Sequence, residues 1–142
     1  MTDANLFDLY SQKLLDLAMN IPHIAPISSP SHEARARSPI CGSQIDVAFT
    51  LENEVISEFS QNVKACALGQ ASASIFGASV IGRTKLELET LRKELAAFLA
   101  QNGPVPSAPF QNYEVMSAAQ PYQNRHASIL LAVDATLKAL NT

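Results

Sequence analysis

Gln44-Ile45-Asp46-Val47-Ala48-Phe49-Thr50-Leu51 alternates apolar with polar or small residues, and after Glu52-Asn53 the chain resumes as Val55-Ile56-Ser57-Glu58-Phe59-Ser60-Gln61-Asn62-Val63. Successive side chains leave a strand on opposite sides, so a period of two marks a strand with one buried face. The first run predicts a strand with Ile45, Val47, Phe49 and Leu51 inward. Glu52-Asn53 makes the turn, and Val55, Phe59 and Val63 supply the inward face of the return strand. Upstream, His32 to Ser38 reads as a short edge strand with Arg35 and Arg37 facing solvent.

The hairpin also organises the chemistry, because the two cysteines of the chain stand at its ends. Cys41 lies in Ser38-Pro39-Ile40-Cys41-Gly42 ahead of the first strand, and Cys66 lies in Val63-Lys64-Ala65-Cys66-Ala67 after the second. A hairpin carries the chain out and back, so both sulfurs are expected at the same end of one sheet. Two thiols meeting there suggest a soft-metal or iron–sulfur site. They are too few to close a four-ligand site alone, so a complete site must recruit other donors. Two cysteines in a chain of this size do not make a disulfide framework. Cys66 stands at a predicted helix start, where the helix dipole favours its thiolate and its use as a ligand or sulfur acceptor. Lys64 could attract a sulfide or persulfide anion, although an exposed strand-end lysine is the simpler reading.

Helices surround the hairpin. Leu6, Phe7, Tyr10, Leu14, Leu17 and Ala18 recur at helical spacing within residues 1–20, with Asp3 or Asn5 as the cap and Asn20 and Pro22 as the end. Pro22, Pro26 and Pro30 mark a surface loop. Ala71-Ser72-Ala73-Ser74, with Ile75, Phe76 and Val80, forms a helix whose small residues allow close approach to the sheet; Gly82 stops it. Thr84 and Glu87 make a capping box for a helix with the stripe Leu88, Leu91, Leu95 and Phe98, which Asn102-Gly103-Pro104 terminates. Residues 104–112 are a proline-rich connector, Tyr113 to Ala119 a short helix, and Arg125 to Leu140 a final helix with Ile129, Ala132, Val133, Thr136, Leu137 and Leu140 inward. The expected fold is α+β, a small three-stranded antiparallel sheet packed against several helices in a single domain spanning 1–142.

Composition narrows the function classes. The 142 residues are 47% hydrophobic and 16% charged, enough to bury a core without staples. The formal net charge is -3 and the ten Lys and Arg are scattered, which leaves no electrostatic footprint for nucleic acid. No apolar stretch approaches a membrane span, and the N-terminus lacks a signal-peptide charge pattern, so no membrane partner and a cytoplasmic location are expected. That reducing setting disfavours a disulfide between the two cysteines. No Ser-His-Asp order, phosphate loop or carboxylate pair supports hydrolytic or nucleotide-dependent chemistry.

Pro39-Ile40-Cys41-Gly42, the hairpin, Ala65-Cys66-Ala67-Leu68-Gly69 with Ala71-Ser72-Ala73-Ser74, Ile81-Gly82-Arg83-Thr84, and His126-Ala127-Ser128-Ile129-Leu130 follow in order along the chain. Together they resemble the NifU-N-terminal, IscU- and SufU-like iron–sulfur cluster assembly scaffolds over roughly Leu6 to Leu140. The resemblance implies a scaffold or carrier, not an enzyme, whose cargo is iron or a transient iron–sulfur cluster, with zinc possible as isolated. It implies a cysteine desulfurase and apo-protein clients as partners. Cys41 and Cys66 become the cluster or metal ligands, Cys66 the sulfur-accepting candidate, and His126 a borderline-soft nitrogen donor.

Two departures accompany these matches. Ser43 stands where the family has Asp after Cys-Gly. The family's third Cys, at the start of the last helix, falls on Ala127 in the gapless reading and on Ser128 after a shift of one residue. The third thiolate is missing in both readings. Ser43 and Ser128 are weaker oxygen donors, with turn and helix-capping chemistry as their simpler roles; Asp46 is read as sheet surface, and His23 and His32 as surface residues. Missing ligands would come from a client, a small thiol, or a homodimer pooling Cys41 and Cys66 from each chain on cluster binding. The alternatives are a partner-binding relative that has lost cluster assembly and a sulfurtransferase carrying persulfide on Cys66.

Overall fold

Three antiparallel strands in the order β1-β2-β3 form the sheet in the computed structural model of the chain, which describes residues 11–40 and 42–141. They are β1 (His32–Arg37), β2 (Gln44–Glu52) and β3 (Val55–Lys64). Ile45, Val47 and Phe49 are buried, as the alternation requires, while Leu51 is half-buried. On the other face Arg35 pairs with Asp46, and Arg37 donates to Gln44 Oε1 at 2.7 Å. That face is therefore polar, and the helices cover the opposite one.

The hairpin departs from expectation in two linked ways. Asn53 and Glu54 take left-handed conformations at φ 55° and 65°. The turn is thus one residue later than Glu52-Asn53, with the positive φ values that match a two-residue connection to strand twist. Thr50 pairs with Glu58 but Leu51 pairs with Ile56, which leaves Ser57 as an extra residue in a bulge. Each extra residue reverses the parity of a strand. Beyond the bulge, Ile56 takes the buried position predicted for Val55, which is half-buried.

Among the described residues four helices complete the layer: α1 (Gln12–Met19), α2 (Ala67–Ser79), α3 (Lys85–Gln101) and α4 (His126–Leu140), with a 3₁₀ segment at Gln111–Ala119 before α4. Ser11 caps α1 by accepting from Leu14 N at 3.2 Å; the expected caps Asp3 and Asn5, and the positions Leu6, Phe7 and Tyr10, lie outside the described residues. Ala71, Ser72, Ala73 and Ser74 are all buried, so α2 packs as closely as its small residues predict. Ser72 forms a core hub: its hydroxyl bonds the Ile129 carbonyl of α4 and lies 2.8 Å from the buried Tyr113 hydroxyl of the 3₁₀ segment. Phe76 stacks with Phe110 at 6.0 Å and meets Phe59 of β3 edge-on at 5.9 Å. His23 and His32, expected at the surface, are half-buried instead, their rings against Phe59 and Phe49. Among the described residues no helix is long and apolar enough to cross a membrane.

The capping box at α3 forms as predicted: Glu87 N donates to Thr84 Oγ1 at 3.2 Å, and Thr84 N donates to Glu87 Oε1 at 3.1 Å. The bond from the Thr84 backbone holds the Glu87 carboxyl below its ordinary value; burial opposes it, and Arg83 beside it adds to the lowering. A depressed carboxyl contributes stability that is present above its unfolded pKa and lost as pH falls through the folded one. Urea unfolding across the acid range should therefore show this contribution fading below the ordinary glutamate range, and Glu87→Gln should flatten that dependence. Thr84→Ala should cost about 1 kcal/mol at neutral pH.

Candidate metal centre

The Gln44↔Lys64 pairing sets the entry of β2 beside the exit of β3. Gly42-Ser43 and Ala65-Cys66 consequently share one end of the sheet. The turn before β2 is closed by Ser38 N donating to Ser43 O at 2.7 Å and Gly42 N donating to Ser38 O at 2.9 Å. Gly42 has φ 73°, a left-handed conformation that suits a residue without Cβ. Cys41, the first of the predicted ligands, lies outside the described residues.

Cys66 is the N-cap of α2, with φ −66° and ψ 172°. Its thiol is free, half-buried and makes no capping hydrogen bond. Helix geometry thus places a sulfur at the positive end of the backbone dipole without committing it to the helix's own amides.

The start of α4 closes on the same end. Ser128 Oγ donates to Ser43 Oγ at 3.1 Å, and both residues are buried, with 1% and 3% of their surface exposed. A Cβ on Gly69, in the first turn after Cys66, would lie 3.6 Å from Ser128 Cβ and 2.7 Å from Ala65 Cβ. The first turns of α2 and α4 and the entry of β2 therefore meet. Of the two positions that could answer to the missing cysteine, Ser128 faces this junction through its bond to Ser43; Ala127 is half-buried.

His126 opens α4, but its ring turns toward the 3₁₀ segment, with Nε2 3.0 Å from the carbonyls of both Ala119 and Gln120. Carbonyls only accept, so Nε2 carries the hydrogen and Nδ1 is the atom left to ligate. Asp46 points to the outer face with Arg35, and Lys64 is exposed at the strand end. Among the described residues no group of three or more His, Cys, Asp and Glu could hold a metal ion. Ser43 and Ser128 bond to one another and strand register sets Cys66 at the same end of the sheet, whereas the His126 ring bonds the 3₁₀ segment.

Sequence reasoning treated the two serines separately and missed that they bond to one another. One signal was available: Ser128, Ala132, Ala135 and Ala139 follow the buried helical stripe of α4. A hydroxyl on such a stripe requires a partner from the layer it faces.

The tight contact at Gly69 has a measurable consequence. Gly→Ala within a helix ordinarily stabilises by up to about 1 kcal/mol. Here the new methyl would press on Ala65, the residue that delivers Cys66 to its helix, so Gly69→Ala should destabilise by about 1–3 kcal/mol in urea unfolding. A gain in stability would show that the first turn of α2 can shift freely.

No family model matches the chain, and no curated protein matches it. Among solved structures, a nitrogen-fixing NifU-like protein (N-terminal) from Brucella abortus is 35% identical with a TM-score of 0.92, over 96% of this chain and 95% of that one. A candidate iron–sulfur cluster assembly scaffold protein for the SUF system from the thermophile Fervidobacterium islandicum AW-1 is 20% identical with a TM-score of 0.81, over 94% of this chain and 98% of that one. The second likeness is one of fold.

Proposed function

Because the chain belongs to the NifU-like N-terminal family of the IscU- and SufU-like fold, we propose that it is an iron–sulfur assembly scaffold or carrier. It holds iron or a transient iron–sulfur cluster through Cys41 and Cys66 and passes it to apo-proteins. A cysteine desulfurase supplies the sulfur, and the action is that of a cytoplasmic carrier and not of an enzyme. The observation that carries this reading is the convergence at one end of the sheet: the uncommitted thiol of Cys66 at a helix N-terminus stands beside the turn that contains Cys41 in sequence.

The thiols fit iron, zinc and cluster chemistry; the serines fit it poorly, because a neutral, buried hydroxyl is a weak ligand for a borderline-soft metal. The remaining ligands on this reading come from outside the chain, from a client, a small thiol or a second copy. A second reading, a family member that binds partners without assembling clusters, is favoured by the Ser128–Ser43 hydrogen bond occupying the junction.

Anaerobic reconstitution with iron and sulfide separates the two. A scaffold should acquire thiolate-to-iron charge-transfer bands with stoichiometric iron, whereas a partner-binding relative should remain colourless. Light scattering of loaded and empty protein identifies a second copy as the ligand source if loading doubles the mass.

A further inference from the structure

The two edges of the sheet are finished in different ways. Main chain covers β3: Gln61 N donates to His23 O at 2.8 Å, Ile56 N donates to Arg83 O at 3.1 Å, and Val55 bridges Thr84. Among the described residues the sheet ends at β1 with no further strand beside it. The bond from Ser38 N to Ser43 O sets the alternation of the antiparallel ladder. Ala34 and Ala36 therefore exchange bonds with Val47 and Ile45, while Glu33, Arg35 and Arg37 turn their N–H and C=O groups to the open edge. One side chain reaches round to meet them. Lys138, exposed in the last turn of α4, donates from Nζ to Arg35 O at 2.8 Å.

We propose that this edge is a pairing surface for β1 of a second copy of the chain, and that Lys138 holds it closed. A row of unpaired strand amides is a template for another strand, and lysine is a common guard against it. Charge selects the occupant and its register. With a two-fold axis at Ala34, Glu33 of each copy lies opposite Arg35 of the other. Each Arg35 is then flanked by Asp46, its existing ion partner on β2, and by the incoming Glu33. A register centred on Arg35 instead sets two guanidinium groups opposite one another. In the favoured register Glu33 N of each copy donates to Arg35 O of the other, so the lysine and the incoming amide compete for one carbonyl. Antiparallel pairing also sends the two ends that bear Cys66 in opposite directions. This dimer is therefore distinct from one that pools cysteines, and it does not depend on cargo.

The test is light scattering of the full chain across a concentration series, with EDTA present to exclude metal bridging and far-ultraviolet circular dichroism to verify folding. Lys138→Ala should reach the two-chain mass at a concentration about 10-fold or more below that of the unsubstituted chain. Lys138→Arg, which keeps a donor, should behave as the unsubstituted chain does. In the Lys138→Ala background, Glu33→Arg and Arg35→Glu should each restore the monomer. An equimolar mixture of those two double variants should pair again, because opposite charges then meet at both contacts. A Lys138→Ala protein no more dimeric than its parent overturns the proposal. So does a dimer that survives both charge reversals, or a mixture that stays monomeric.

Discussion

Replacing Cys66 by serine is expected to abolish retention of iron or cobalt while leaving the protein as stable as before, or slightly more so. The two halves of this result have separate causes. With one of two thiolates gone, the loss should exceed the 10–100-fold that even an outer partner of a metal ligand typically costs, so retention should fall by more than about 100-fold. At the helix start, however, serine is the better residue: Cys66 makes no capping hydrogen bond, and a serine hydroxyl accepts readily from the amides of the first turn, a contribution of about 0.5–1 kcal/mol. Equilibrium dialysis against the metal and urea unfolding of the apo-protein measure the two terms independently. Undiminished metal retention would remove Cys66 from the centre and promote the partner-binding reading.

The largest stability loss is expected at Phe76. Its ring is fully buried and joins the stack of Phe110 to the edge of Phe59, so it connects the chain after α3 to the sheet across the body of α2. Phe76→Ala removes transfer free energy and leaves a cavity that two rigid rings can only partly fill, a cost of about 3–5 kcal/mol. That is a large share of the roughly 5–15 kcal/mol that holds a domain folded. Denaturant titration should show a lower midpoint at unchanged slope. A loss below about 1 kcal/mol would mean that the helix layer collapses onto the sheet without the ring.

The parts of the fold that rest on periodicity were readable from the chain. Ile45, Val47 and Phe49 alternate and are buried, and Thr84 and Glu87 cap the helix that their spacing announces. The bulge at Ser57 was not readable, since a strand with one additional residue has the same local composition as one without it; only pairing with β2 reveals the change of parity. The ring contacts of His23 and His32 were hidden for a similar reason: each depends on a phenylalanine 36 and 17 positions away, at Phe59 and Phe49. At the candidate centre, the position of Cys66 followed from strand and helix grammar. The serine pair did not, because hydroxyl groups are common in turns and helix starts, and nothing local tells a capping serine from one that reaches across the molecule. The resemblance alone drew attention to Ser43 and Ser128, and their mutual bond emerged only from the packing of α4.

The Ser128–Ser43 bond spans 85 residues, and its two ends are not made at the same time. A chain emerging from the ribosome presents both cysteines and the complete hairpin long before α4 exists. At that stage the end of the sheet that bears Cys66 would lie uncovered by α4. Docking of the last helix is therefore the event that buries the serine pair at this end of the sheet, which gives the polypeptide an order of maturation: sheet first, helical roof second.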